Sequence, residues 1–434
     1  MLSITSSPVQ ALSGTAIVPA DKSISHRSVI FGALADGVTE VTNVLTGEDV
    51  LSTVAAFRSM GVLIEGPDSG RLRISGAGKF GLQAPGNEVD LGNSGTSIRL
   101  LSGLLAGQRF HSRLTGDESL RRRPMGRVVD PLTAMGAVIQ SSEGCPPLDI
   151  RRSKRLTGIE YQMPVASAQV KSALLLAGLY AEGETLIYES TPTRDHTERM
   201  LAGFSNGQWQ AGSAIRINGD IALEGQCLEV PGDISSAAFL LVAATICPGS
   251  DLLLPGVGIN PTRSAVLAIL RLMGADIEIS SERLESNEPV CDLRVRSASL
   301  RGIDIPADFV ANAIDEFPVL AIAAAAASGV TRVRGARELR VKESDRIAAI
   351  VQGLGTLGID AVEYPDGMDI TGGAFGSGSV ESFGDHRIAM AFAVAGCLSD
   401  GTVEIQEAGN IRTSFPNFLS LANSIGMNIS ESPG

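Results

Sequence analysis

Lys22-Ser-Ile-Ser-His-Arg-Ser-Val-Ile-Phe-Gly-Ala-Leu-Ala-Asp-Gly37 opens on polar side chains, runs through an apolar middle and stops on glycine. Asp21 stands where a helix cap belongs, and Gly37 where a helix stop belongs. The phrase returns as Asn93–Gly107, Ser167–Gly183, Asp233–Gly249, Asp315–Gly329 and Asp385–Gly401. Each copy runs on into a short β-like stretch and then a second amphipathic segment. These second segments close on pairs such as Met60-Gly61, Met135-Gly136, Met273-Gly274, Leu357-Gly358 and Ile425-Gly426. The period is roughly 70 residues, longer than repeats that stack into solenoids. A unit of that length holds several strands and two helices, so six copies predict a built-up globular α/β protein rather than a rod.

The stretches between the phrases agree with alternating strand and helix. Thr39–Val44, Thr185–Tyr188, Asp251–Leu254 and Thr402–Ile405 are β-branched or apolar and follow a helix-stopping glycine. Val50, Leu51, Val54, Ala55, Phe57 and Met60 recur at helical spacing, as do Val266, Ile269, Leu270 and Met273. Three copies lie between about Ala20 and Gly232 and three after it, so one domain is expected over 20–232 and the other over 1–19 plus 233–434. The hinges fall near 19–20 and 231–236, where Pro19 and Pro231 stand.

Composition narrows the class. At 44% hydrophobic but only 4% aromatic, the 434-residue chain must fill its cores with aliphatic side chains. A net charge of −13 argues against nucleic acid as the main partner. Five scattered cysteines without a CxxC pair suit reduced thiols in the cytoplasm. The start MLSITSSPVQ lacks the basic and apolar regions of a secretion signal, and no apolar run is long enough to span a membrane. His26, His111, His196 and His386 lack metal-ligand spacing, so neither metal nor cofactor is expected. Two glycine patterns mislead. Gly353-Leu-Gly-Thr-Leu-Gly358 fits a dinucleotide fingerprint but ends a helix-like segment, and Gly76-Ala-Gly-Lys79 lacks the rest of a phosphate loop.

The helix openings carry the chemistry. Asp21–Arg27, Gly92–Arg99, Ser167–Lys171 and Asp385–Arg387 are dense in polar groups. Caps explain the Ser, Asn and Asp. Cations in a first turn oppose the helix dipole, so Lys22, Arg27 and Arg387 make sense if an anion arrives to meet them and the free N–H groups. Arg121-Arg122-Arg123 adds charge, although such runs are often only solvated. In Arg340–Arg346, Lys342 and Arg346 stand i, i+4 and read as one helical face. Asp315 and Glu343 could converge with these cations and divide general-base and general-acid work.

The motifs DKSISHR, LGNSGTSIR, RRRPMGR, ASAQVKSALLLAGL, IDEFP, LRVKESDR and GDHRIAM, in this order over the whole length, resemble the 5-enolpyruvylshikimate-3-phosphate synthase family of enolpyruvyl transferases. The resemblance implies an α/β fold of two domains, each with three βαβαββ units, closed as an inside-out α/β barrel with helix N-termini toward the cleft. It implies shikimate 3-phosphate on Lys22, Ser23, Arg27, Ser167, Gln169, Asp315 and Lys342, with Arg194 on the phosphate side. It implies phosphoenolpyruvate on Lys22, Gly95, Arg123, Gln169, Arg346 and Arg387. The expected partners are these two small molecules alone, acting on a cytoplasmic monomer without nucleic acid or membrane.

The implied reaction is addition then elimination through a tetrahedral intermediate. The 5-hydroxyl attacks C2 of phosphoenolpyruvate, with Asp315 taking its proton and Glu343, assisted by Lys22, protonating C3. Thr413 departs from the family pattern, where a lysine is common, and Arg412 is a candidate substitute. Gly95 reads as sensitive to the inhibitor glyphosate, whereas Arg194–Glu198, Ser167–Lys171 and Asn260–Arg263 resemble the tolerant class. One rival is the sister enzyme acting on UDP-N-acetylglucosamine, whose mobile-loop cysteine has no counterpart in Thr115–Met125. Another is a non-catalytic anion-binding protein of the same fold, which would gain nothing from buried carboxylates.

Overall fold

In the computed structural model of the chain, which describes residues 2–207, 209 and 214–433, the polar-to-glycine phrases form helices. These are Lys22–Leu34, Gly95–Ala106, Ala168–Gly178, Ile234–Ile246, Phe317–Ala325 and His386–Ala395. Most start on a side chain that accepts a first-turn N–H: Asp21 from Ile24, Ser94 from Ser97, Ser167 from Val170, Asp233 from Ser235 and Asp385 from Arg387. Phe317–Ala325 differs. Glu316 occupies its cap position without making that bond, and Pro318 stands in the first turn, where a missing N–H breaks no helical hydrogen bond.

These helices are apolar on every side and are buried accordingly. Every residue of Ile234–Ile246, Phe317–Ala325 and His386–Ala395 is buried. In the other three, the partly exposed residues lie toward the N-terminus: Lys22, Ser23, Thr96, Arg99, Ala168 and Gln169. The second helices, such as Glu48–Ser59 and Ala265–Met273, bury one face only. Val266, Ile269, Leu270 and Met273 point inward as expected, whereas Leu51 and Ala55, read as part of the apolar stripe, are exposed because they sit on the outer face of Glu48–Ser59.

The chain forms two compact units, one of residues up to Pro19, Pro231–Leu284 and Pro289 onward, the other of Ala20–Val230 and Glu285–Glu288. In the first, helices Ile234–Ile246, Phe317–Ala325 and His386–Ala395 pack on one another. Its sheets include one in which Leu2–Ser7 lies between Val403–Gln406 and Asn428–Pro433, antiparallel to both, with Ile4 opposite Ile405 and Glu431. In the second unit, Cys227–Glu229 returns to pair in parallel with Val38–Thr42, so the unit's last strand joins its first sheet. Helices Gly95–Ala106 and Ala168–Gly178 touch backbone to backbone there. A Cβ on Gly103 would stand 2.0 Å from the Ala173 carbonyl oxygen, so only glycine fits.

Against the division read from the sequence, residues 231–232 group with the first unit and 285–288 with the second. The cause of the latter is a hairpin turn whose Glu288 is buried, with Oε1 2.8 Å from His196 Nδ1. Both glycine decoys serve the fold. A Cβ on Gly353 would meet the Phe392 ring at 2.2 Å, and Gly358 leaves helix Arg346–Thr356 with φ +78°. Lys79 spends its ammonium on the carbonyls of Gly219 and Ile221, 2.7 Å from each. Among the described residues no helix is long and apolar enough to cross a membrane.

Candidate active site

The Ala20–Val230 unit gathers cations at the open ends of its buried helices. Lys22, in the first turn of Lys22–Leu34, donates to Asp49 at 3.0 Å, and Asp49 is itself in the first turn of Glu48–Ser59. Arg27, one turn deeper, is buried. Its Nη1 donates to the Ser23 carbonyl (2.9 Å), Nε to Thr197 Oγ1 (2.7 Å) and Nη2 to Ser172 Oγ (2.8 Å). Burial pushes its pKa down to about 10, against the pull of Glu198 and Asp21, so it stays charged at neutral pH. Arg194 is near enough for its charge to oppose that of Arg27.

Gly95 begins the next helix, and the space a side chain would take is held by two guanidinium groups. An ideal Cβ would lie 2.7 Å from Arg99 Nη1 and 2.8 Å from Arg123 Nη1. Arg123 donates to Asn93 Oδ1. Of the arginine triplet only Arg123 is buried; Arg121 and Arg122 are exposed, so the run divides into one buried cation beside Gly95 and two exposed ones. Ser167 caps the third helix, and Gln169 Nε2 donates to Thr96 Oγ1 at 3.1 Å, tying the third opening to the second. A buried polar chain ties the second to the first: His26 Nδ1 lies 2.8 Å from Thr53 Oγ1, Thr53 lies 2.7 Å from Ser97 Oγ, and Ser97 lies 2.6 Å from Ser94 Oγ. Burial, then the charges of Lys22 and Arg27, hold the pKa of His26 well below its usual value, so the ring is neutral.

In the other unit each named cation meets a carboxylate. Asp315 Oδ1 receives Lys342 Nζ at 3.1 Å and Arg346 Nη1 at 3.3 Å. Arg387 Nη1 donates to the Asp315 carbonyl at 3.0 Å. Glu343 Oε2 accepts from Arg346 Nη2 at 2.6 Å, and Asp385 Oδ2 from Arg346 Nε at 2.7 Å. Arg346 is 1% exposed. Burial alone would lower its pKa, but Asp385, Glu343 and Asp315 outweigh that and raise it. Asp385 is wholly buried, which opposes its charge, yet Arg346 holds its pKa below the usual carboxylate value.

Lys342 and Arg346 do not share a helical face. The backbone turns away at Lys342 (ψ −148°), and the helix begins only at Arg346, capped by Asp345. They meet because both reach the same oxygen of Asp315. Arg412 is directed to Glu431 at 3.3 Å on an exposed surface, and Thr413 Oγ1 donates to its own turn at the Asn410 carbonyl (2.7 Å), so Arg412 does not take the place of the missing lysine.

Two further members of these clusters enter the sequence reading only inside longer motifs, without a site role. Arg263, 3% exposed, lies 3.2 Å from Asp233, 3.8 Å from Asp315 and 3.9 Å from Glu316. Glu316 accepts from Ser235 Oγ and lies 3.7 Å from Arg387. The signal available was the charged opening Asp315-Glu316 followed by Phe317-Pro318. Among the described residues no group of His, Cys, Asp and Glu has the arrangement of a metal site.

Comparison with known proteins gives one answer. Residues 6–421 match the family described as EPSP synthase (3-phosphoshikimate 1-carboxyvinyltransferase). A 3-phosphoshikimate 1-carboxyvinyltransferase of Methylococcus capsulatus is 59% identical over 429 residues, 99% of this chain and 98% of the relative. One of Alkalilimnicola ehrlichii is 58% identical over 422 residues, 97% of this chain and 95% of the relative. The solved EPSP synthase of Acinetobacter baumannii superposes with a TM-score of 0.89 at 49% identity, covering 100% of each chain.

Proposed function

The chain belongs to the EPSP synthase family and transfers the enolpyruvyl group of phosphoenolpyruvate to the 5-hydroxyl of shikimate 3-phosphate, releasing phosphate; we propose that its two clusters divide this reaction as follows. Lys22, Ser23, Arg27, Ser167, Gln169, Asp315 and Lys342 hold shikimate 3-phosphate, with Arg194 beside its phosphate. Lys22, Gly95, Arg123, Gln169, Arg346 and Arg387 hold phosphoenolpyruvate, whose carboxylate and phosphate suit the guanidinium fork. Asp315 accepts the 5-hydroxyl proton as the oxygen bonds to C2, and Glu343, assisted by Lys22, gives a proton to C3. The C2–O bond to phosphate then breaks, and C3 returns a proton. The cations match the charge on the departing phosphate.

One observation carries the role of Asp315: a single carboxylate oxygen is shared by Lys342 and Arg346 while Arg387 grips the residue's own carbonyl. These contacts fix the direction in which the carboxylate faces. The test is phosphate release from the two substrates at saturation. Asp315→Ala and Glu343→Gln should each lose on the order of 10²–10⁴-fold in kcat, the usual worth of positioned acid–base groups. Near-normal release by either variant removes that residue's role.

Each unit reads as three βαβαββ repeats closed into an inside-out α/β barrel, a reading supported by three helices per unit that are buried along most of their length. The relatives reported above carry the shikimate name, which leaves UDP-N-acetylglucosamine as acceptor, and the non-catalytic reading, without support. The acidic chain is read as a cytoplasmic monomer acting on small molecules only.

A further inference from the structure

Behind Arg27 lies a buried ion cluster that the reaction as proposed does not use. Lys171, in helix Ala168–Gly178, has a side chain only 1% exposed. Its ammonium is spent on Glu198 Oε1 (2.7 Å), Glu189 Oε2 (3.0 Å) and the Thr193 carbonyl (3.1 Å). The flanking residues Ser172 and Thr197 bond to each other at 2.7 Å and both accept from Arg27. Arg27 therefore touches only neutral oxygens, although among the charges acting on it Glu198 attracts most strongly. Glu198 Oε2 is buried and has no hydrogen-bond partner. A competitor for Arg27 thus stands one residue beyond Thr197 with an oxygen to spare.

We propose that Lys171 is a positioning residue for substrate binding: by holding Glu198, it keeps that carboxylate from capturing Arg27 and leaves Arg27 to the phosphorylated substrate. The charges support this. Lys171 and Arg27 balance Glu189 and Glu198, whereas without Lys171 the remaining three groups sum to a negative charge, the wrong sign for an incoming anion. An arginine released from neutral partners would pair with the nearer carboxylate, because a buried charge gains most from an opposite charge. This inference rests on the assignment of Arg27 to shikimate 3-phosphate.

The experiment measures kcat and the separate KM values for shikimate 3-phosphate and phosphoenolpyruvate. Lys171→Gln should raise the KM for shikimate 3-phosphate about tenfold or more, the size of a lost charge-assisted hydrogen bond, with the KM for phosphoenolpyruvate held within about twofold. Lys171→Gln/Glu198→Gln should bring the former back to within about threefold of the parent, since the competing charge is gone; a purely structural role for Lys171 would leave it raised. If the single variant does not fold, the folded double variant decides alone: a raised KM for shikimate 3-phosphate overturns the proposal. Arg27→Ala separates the two layers. If it leaves that KM unchanged, the assignment of Arg27 fails; if it raises the KM while Lys171→Gln does not, only the role of Lys171 fails.

Discussion

The two clusters use buried arginine in opposite ways. Arg27 is held by a carbonyl and two hydroxyls, all neutral. Arg346 is held by three carboxylates, of Asp385, Glu343 and Asp315. A guanidinium on neutral partners keeps its charge for a ligand, at the expense of its own desolvation. One ringed by carboxylates has part of its charge met before any ligand arrives, so besides facing a ligand it holds those carboxylates at fixed angles. The first arrangement suits recognition of an anion alone, the second recognition joined to the placement of acid and base.

Arg346→Met should break the second arrangement most severely. It leaves wholly buried Asp385 without its cation, a loss of about 3–5 kcal/mol, visible as a lower midpoint in denaturant unfolding. An unchanged midpoint would mean that the ring of carboxylates is not coupled to folding.

Acid should distinguish the clusters next. His26 has a folded pKa below its unfolded value of about 6.5, so the unfolded chain binds the proton first as pH falls. Its contribution is complete above that pH and declines below it, by up to about 1.4 kcal/mol per pH unit. The Asp385 carboxylate, also lowered, gives up its contribution only below about pH 4. Unfolding at pH 7.5, 6.5 and 5.5 should therefore show a slope that His26→Asn flattens; equal slopes in the two proteins would refute the assignment.

Gly95→Ala should act more gently. The added carbon meets the far ends of Arg99 and Arg123, which can swing aside. The expected result is a rise of about three- to tenfold in the KM for phosphoenolpyruvate with the unfolding midpoint nearly unchanged, worth about 1 kcal/mol of binding. An inhibition titration with glyphosate on the same variant tests whether the space over Gly95 also governs sensitivity. Arg412→Ala should do least. Its partner is the exposed Glu431, and such pairs are worth under about 1 kcal/mol; a large loss of activity would place Arg412 in the site after all.

Much of this was legible in the sequence because the same physics writes it repeatedly. A polar opening, an apolar middle and a glycine stop read as a buried helix, and Lys22, Gly95 and Gln169 stand at the openings of the three whose first turns are partly exposed. The stretch Arg340–Arg346 was misread because i, i+4 spacing presumes a continuous helix, and the cap at Asp345 interrupts it. Arg263 and Glu316 escaped because their importance lies in long-range meetings with Asp233 and Ser235, which no local pattern encodes. The direction of Arg412 was open for a similar reason: Glu431, which receives it, lies on the strand Asn428–Pro433, beyond the turn that carries Arg412.

The strand Leu2–Ser7 sits between two strands drawn from the far end of the polypeptide. A ribosome makes it well before both neighbours, so its two edges stay unsatisfied until Val403–Gln406 and Asn428–Pro433 have followed. The Ala20–Val230 segment meets no such delay and holds most of its partners by mid-synthesis. Birth order therefore favours the Ala20–Val230 half maturing early, and leaves the half that holds Asp315 and Arg346 incomplete until Val403–Gln406 and Asn428–Pro433 have followed.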